Sequence, residues 1–198
     1  MKILVVNNYQ HNNETATFEA LKLCLSGHQV EYQRYKPGLQ FAEAGKDLII
    51  LSGGGGEGSE IHDEYSKNKL WYEDQINFIL STKKPIFGIC MGFEIIARAY
   101  GSKVVQMKQY VSGLKTVSTT QKGLEIFNQN DLTQYQNHIW RVPAVSLEHF
   151  DVLAESKTGI EAIKHKTRPI LATQFHPEKG GTLSLRALID NCAFNNQV

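Results

Sequence analysis

Three short stretches of this chain hold residue types that can carry out acyl transfer. The first is Pro85-Ile86-Phe87-Gly88-Ile89-Cys90-Met91-Gly92-Phe93-Glu94-Ile95-Ile96-Ala97. An apolar run reading as a buried strand ends at Gly88, Cys90 sits between Gly88 and Gly92, and an apolar-periodic helix begins at once. This is the sequence form of a nucleophile elbow, a strand-to-helix turn tight enough to need small flanking residues, which presents a side chain beside the free N–H groups of a helix start. A thiol is a usable nucleophile when its pKa is lowered or a base stands next to it. The helix start favours negative charge on Cys90. The second stretch, Gln174-Phe175-His176-Pro177-Glu178, follows the apolar run Ile170-Leu171-Ala172-Thr173 and supplies the base. His176 can take the thiol proton, and Glu178 can hold the imidazole tautomer and favour its charged form. The third, Ser52-Gly53-Gly54-Gly55-Gly56-Glu57-Gly58, follows the apolar run Leu48-Ile49-Ile50-Leu51. Its glycines let the backbone turn sharply and offer N–H groups. An oxyanion needs two such donors. The N–H of Met91, just after the nucleophile, and that of Gly54 are the expected pair.

Positioning these residues requires strand ends that meet. The run 3–6 reads as a central parallel strand followed by a polar loop, Asn7-Asn8-Tyr9. Asn12 or Asn13 is the expected cap of a helix with Phe18, Leu21 and Leu25 on its apolar face, Gly27 at its end and Cys24 as a small core residue. Strands are predicted over 29–34 and 48–51, with a turn at Pro37-Gly38 between them. A helix with Leu70, Ile76, Ile79 and Leu80 as its stripe should stop at Lys83-Lys84-Pro85. The elbow helix should run through Ile95, Ile96 and Ala99 to Gly101. Strand–helix alternation of this kind indicates an α/β fold, here a mostly parallel, flavodoxin-like central sheet flanked by helices. After about residue 104 the pattern changes to short β-like runs over 104–107, 114–119, 125–127, 138–142, 152–154, 160–163 and 170–175. These predict antiparallel strands added to the sheet in the C-terminal half, the last returning to its parallel part. A closing helix over 183–194 should hold Cys192 in the core. Parallel α/β sheets build their sites at strand C-termini, where all three chemical stretches fall.

Composition excludes several function classes. With 198 residues, 41% hydrophobic and 21% charged, the chain suits a single domain spanning 1–198. The 21 basic and 20 acidic residues leave a net charge of +1, no field to draw nucleic acid or an anionic membrane. The start lacks a signal-peptide pattern, and no apolar run approaches the ~20 residues that span a bilayer. Cys24, Cys90 and Cys192 are an odd count at irregular spacing, which argues against a disulfide framework or a zinc site and for a reducing cytoplasm. The glycine run lacks a P-loop ending and dinucleotide spacing, so no cofactor and no metal is expected. His62, His149 and His165 read as solvent-facing loop residues, and Lys164, His165, Lys166 and Arg168 as a solvated basic face.

Together, Ser52-Gly53-Gly54, Gly88-Ile89-Cys90-Met91-Gly92 and Phe175-His176-Pro177-Glu178 resemble the class I, triad-type glutamine amidotransferase domain. Order and spacing match over nearly the whole chain. The similarity is closest to the glutaminase domain or subunit of GMP synthase, on the segment 159–169, with the glutaminase subunits of anthranilate and aminodeoxychorismate synthase as near alternatives. The resemblance implies hydrolysis of the glutamine side-chain amide through a Cys90 thioester, with release of ammonia to a synthase partner in trans. A free-standing γ-glutamyl hydrolase and a non-catalytic binding relative are the alternatives. It also implies substrate contacts at Gly53, at the position of Glu94 and at His138. Three departures stand out. The family's elbow continues Gly-x-Gln where this chain has Glu94, the proline after the paired glycines is Gly55, and Trp140-Arg141 replace the acidic residue expected after His138.

Overall fold

The computed structural model describes residues 1–9, 16–55 and 72–194, the last four by backbone alone. The expected cap at Asn12 or Asn13, Gly56 to Gly58, His62, Leu70 and the side chain of Cys192 lie outside the described residues.

The α/β architecture is borne out. One nine-stranded sheet runs in the order β2-β1-β3-β4-β9-β8-β7-β5-β6. Strands β1 (Lys2–Tyr9), β2 (Gln29–Arg34), β3 (Leu48–Gly55), β4 (Ile86–Ile89) and β9 (Ile170–Thr173) are mutually parallel. The antiparallel extension is β8 (Gly159–His165), β7 (Phe150–Ser156), β5 (Val105–Thr119) and β6 (Asp131–Arg141). Period-two alternation sends Ile3 and Val5 to one core and Leu4 and Val6 to the other. Helices α1 (Ala16–Cys24) and α5 (Leu185–Phe194) cover the first through Phe18, Leu21, Leu188 and Ile189. Helices α2 (Glu73–Ser81) and α3 (Met91–Ala99) cover the second through Phe78, Ile79, Phe93 and Ile96.

Several expectations are corrected. Asn7-Asn8-Tyr9 is buried strand, not loop. Its polar groups are answered in place: the Asn8 N–H donates to Ser52 Oγ, Asn8 Nδ2 to the Ser52 carbonyl, and Gln75 Nε2 to Asn8 Oδ1. Asn8 and Tyr9 pair with Gly54 and Gly55, so the first glycines extend β3 rather than starting a loop. Residues 125–127 are helix, the end of α4 (Gln121–Phe127). Thr120 caps it by accepting from the Gly123 N–H, and a Cβ at Gly123 would sit 1.8 Å from the Leu153 carbonyl oxygen. The two short runs 104–107 and 114–119, all but Val104, belong to the single long β5. On α2, Phe78 is buried while Leu80 is 46% exposed. Cys24 ends α1 exposed rather than in the core, its Sγ 3.7 Å from the Glu178 carbonyl oxygen.

The basic run is a solvated face only in part: Lys166 is exposed, but His165 and Arg168 turn into the structure. His165 is buried, and its Nδ1 accepts from the N–H groups of Thr167 and Arg168. Arg168 donates to the Tyr100 hydroxyl and to the carbonyls of Ile79 and Thr82, closing the end of α2.

The antiparallel extension curls. β6 is four places from β9 in the sheet order, yet the His176 N–H donates to the Tyr135 carbonyl at 2.8 Å. Gln136 Nε2 reaches Glu161 Oε2 on β8, also at 2.8 Å. The far edge of the sheet thus folds back over the C-terminal ends of the parallel strands.

Candidate active site

β4 ends at Ile89, and the Cys90 N–H still donates to the Thr173 carbonyl before α3 starts at Met91. Cys90 has φ 50° and ψ −105°, a left-handed conformation unusual for a residue with a side chain. Such strain costs of order 1–3 kcal/mol and persists only where the surroundings dictate it. They do so here. A Cβ at Gly88 would lie 2.6 Å from Ile96 Cδ1, and one at Gly92 would lie 2.2 Å from the Leu51 carbonyl oxygen. The turn closes only with glycine at both positions.

The thiol is 5% exposed. Burial, then the charges of Glu94 and Glu178, push its pKa well above the usual range. The Met91 backbone N–H and the Gln174 amide, both bonded to the sulfur, pull the other way. Gln174 Nε2 stands 3.8 Å from Sγ, and the Asn137 carbonyl oxygen of the curled β6 lies 4.0 Å away.

His176 and Glu178 follow β9, in and before a 3-10 turn over Pro177–Lys179. His176 Nδ1 and Glu178 Oε1 are 2.7 Å apart with both side chains buried. A carboxylate at Nδ1 requires a proton there, which leaves Nε2 as the basic nitrogen. That Nε2 is buried and has no hydrogen-bond partner among the described residues.

The glycine strand fills the gap between these groups. A Cβ on Gly53 would lie 3.1 Å from His176 Cε1 and 2.9 Å from the Tyr9 hydroxyl. One on Gly54 would lie 2.1 Å from Met91 Sδ. The backbone of β3 thus passes close to the His176 ring at Gly53 and to the Met91 side chain at the α3 start at Gly54.

Glu94, in the first turn of α3, is 2% exposed and accepts from Gln174 Nε2 at 2.8 Å. It has no ion-pair partner among the described residues, and burial pushes its pKa up to about 8. His138 is buried on β6. Its Nδ1 donates to the Trp140 carbonyl at 2.6 Å, and its Nε2 is unpartnered among the described residues. Burial lowers its pKa to about 4, with the nearby His176 adding to the effect. Among the described residues no group of three or more His, Cys, Asp or Glu could hold a metal ion. No described helix is long and apolar enough to cross a membrane.

All eight sequence-selected residues thus meet around one site, with His138 on the curled ribbon. Sequence reasoning gave Gln174 no role, although it lies directly after β9 and two residues before His176. It also missed Tyr110, whose phenol is raised by burial and by the nearby Cys90 and Tyr135. A register break in β5 between Gln106 and Val111, which pair with Trp140 and His138, places Tyr110 in a bulge. No local sequence signal marks that bulge.

Residues 4–196 match the family described as Glutamine amidotransferase class-I, and the chain belongs to that family. It is 35% identical over 152 residues to the glutamine-hydrolyzing GMP synthase subunit of Methanocaldococcus jannaschii, covering 73% of this chain and 72% of that one. It is 29% identical over 196 residues to anthranilate synthase component 2 of Helicobacter pylori, covering 96% and 95%. The crystal structure of a GMP synthase subunit candidate from Thermoplasma acidophilum superposes with a TM-score of 0.75 at 26% identity, covering all of this chain and 96% of that one.

Proposed function

We propose that this chain is a single-domain glutaminase that hydrolyses the side-chain amide of glutamine and delivers ammonia to a synthase partner. Cys90 Sγ attacks the amide carbon as His176 Nε2 takes the thiol proton. Glu178 holds the imidazole tautomer and stabilises its positive charge. The tetrahedral oxyanion sits between the N–H groups of Met91 and Gly54. His176 returns its proton to the leaving nitrogen, ammonia departs, and a γ-glutamyl thioester remains on Cys90. His176 then activates a water that cleaves the thioester to glutamate. Gly53, Glu94 and His138 line the substrate's path to the sulfur. No step calls for a metal or cofactor. Supporting a partner in trans, the relatives above are named as parts of synthases, one of GMP synthase and one of anthranilate synthase. A cytoplasmic setting is supported by the two described free thiols, Cys24 and Cys90.

One arrangement carries this proposal: a buried cysteine held at positive φ follows β4, and the adjacent parallel strand β9 leads to a buried imidazole whose Nδ1 is bound to a carboxylate and whose Nε2 has no partner among the described residues. A second reading, γ-glutamyl hydrolysis of a substrate other than glutamine, is favoured by one residue, the buried carboxyl of Glu94. The test is ammonia and glutamate release from glutamine and a panel of γ-glutamyl compounds, with and without a cell extract to supply the synthase. Cys90→Ala should lower release by about 10⁴-fold or to background. Full activity in that variant overturns the nucleophile. Turnover of other γ-glutamyl compounds in preference to glutamine selects the second reading, and an inert wild-type chain selects a binding role.

A further inference from the structure

Gln174 bridges two acids, a thiol and a carboxyl. Its Nε2 lies 2.8 Å from Glu94 Oε1 and 3.8 Å from Cys90 Sγ, so the two amide hydrogens serve one acceptor each. All three side chains are at most 5% exposed. A thiolate and a carboxylate joined through one amide in a buried space oppose each other strongly, so ionising one makes ionising the other harder.

Among the described residues no cation pairs with either acid. Helix α3 packs on β3, β4, β9 and α2. The three strands, reading LIILSGGG, IFGI and ILAT, carry no titratable side chain. Helix α2 brings Glu73 and Asp74, the turn after β9 brings His176 and Glu178, and α3 itself brings Arg98. Glu94 forms no ion pair with any described residue. Its titration is set by burial, which raises it, and by the Gln174 amide, which lowers it.

We propose that Gln174 is a further residue supporting the reacting sulfur and that Glu94 is a positioning residue acting through it as a proton-dependent gate. This rests on Cys90 being the nucleophile. With its proton on, Glu94 accepts from Gln174 through a neutral carbonyl oxygen, and the other amide hydrogen stabilises a thiolate that burial and Glu178 still oppose but Glu94 does not. With its proton off, the same contact brings a negative charge to the far side of the bridge, and the thiolate is disfavoured. A Glu94 pKa of about 8 means the gate is open at neutral pH and closes as the solution becomes alkaline, just where a simple thiol would become more reactive.

The test reads the sulfur rather than the reaction. The intact protein is alkylated with iodoacetamide between pH 6 and 10, and Cys90 is quantified by peptide mass spectrometry, apart from Cys24 and Cys192. Glu94→Gln keeps the accepting oxygen and removes the charge. It should lower the apparent thiol pKa by about one unit, giving roughly ten-fold faster alkylation at pH 8.5. Gln174→Leu should slow alkylation by a similar factor. Superimposed profiles for Glu94→Gln and wild type, or wild-type rates in Gln174→Leu, overturn the proposal. Should the variants not fold, the wild-type profile decides: a two-step rise with a bend near pH 8 supports the gate, and a single titration overturns it. Because no glutamine is involved, a chain that releases no ammonia still reports on the gate, and a failed gate leaves the glutaminase assignment standing.

Discussion

The two halves of the sheet are built on opposite principles, and the site lies where they meet. In the parallel half, β1, β3, β4 and β9 are buried on both faces and mostly apolar, and hydrophobic burial holds Cys90 in place. In the curled half the buried side of β6 is polar beyond Leu132. Gln134, Gln136 and His138 alternate inward, and Glu161 of β8 accepts from Gln136, Ser156 and Thr158. Burial is non-directional and independent of pH, whereas a buried polar network is directional and depends on which groups carry protons. The elbow side should therefore respond to changes in volume, and the ribbon side to changes in charge and hydrogen bonding.

The sharpest way to break that contrast is at Gly92. Alanine there drives a Cβ into the Leu51 carbonyl, where neither backbone can give way. Gly92→Ala should lose about 3 kcal/mol in urea unfolding, or fail to fold, with ammonia release lost alongside. An active, fully stable Gly92→Ala would mean the elbow is not set by close packing. Next comes Glu161. Removing it strands the buried Gln136 amide and takes an acceptor from the half-buried hydroxyls of Ser156 and Thr158, so Glu161→Ala should cost about 2–3 kcal/mol. Glu161→Gln should cost under about 1 kcal/mol, because Gln136 Oε1, without a partner among the described residues, can turn to accept from the new amide. Equal losses in the two variants would remove the polar-network account.

The smallest effect concerns acid. His138 and His165, both in the curled half, are held neutral with pKa values near 4, chiefly by burial. The unfolded chain takes up those protons from about pH 6.5. Their contribution is therefore complete above pH 6.5 and is lost as pH falls toward 4. Thermal melts of His165→Gln should show a decline between pH 7 and 4.5 that is shallower than wild type by roughly 1 kcal/mol. A decline as steep as wild type's would place the acid sensitivity elsewhere.

Much of the site was legible because its signals are local. The glycines around Cys90, the Gly53-Gly54 pair and His176-Pro177-Glu178 each lie within a few residues at a strand end. The structure gathers them as the α/β pattern required. The misreadings share one cause, that local polarity was taken for exposure. Asn8 is strand because Ser52 and Gln75, 44 and 67 residues away, answer its polar groups. His165 is buried because its own following turn satisfies Nδ1 while Tyr100 and Phe150 pack on its ring. Cys24, apolar by type, ended up outside.

By itself the sequence determined the family, the order and identity of the proposed triad, and the parallel half of the sheet. These depend on spacing and periodicity along the chain, which act over a few residues. Only the tertiary structure decided how the far edge of the sheet curls back, which carbonyls and rings it brings over Cys90, and what Glu94 becomes. A glutamate in a first helical turn is an ordinary surface choice. Buried against Gln174, with no ion-pair partner among the described residues, it is a weak acid beside a thiol, because desolvation and neighbours, not residue type, determine where a proton resides.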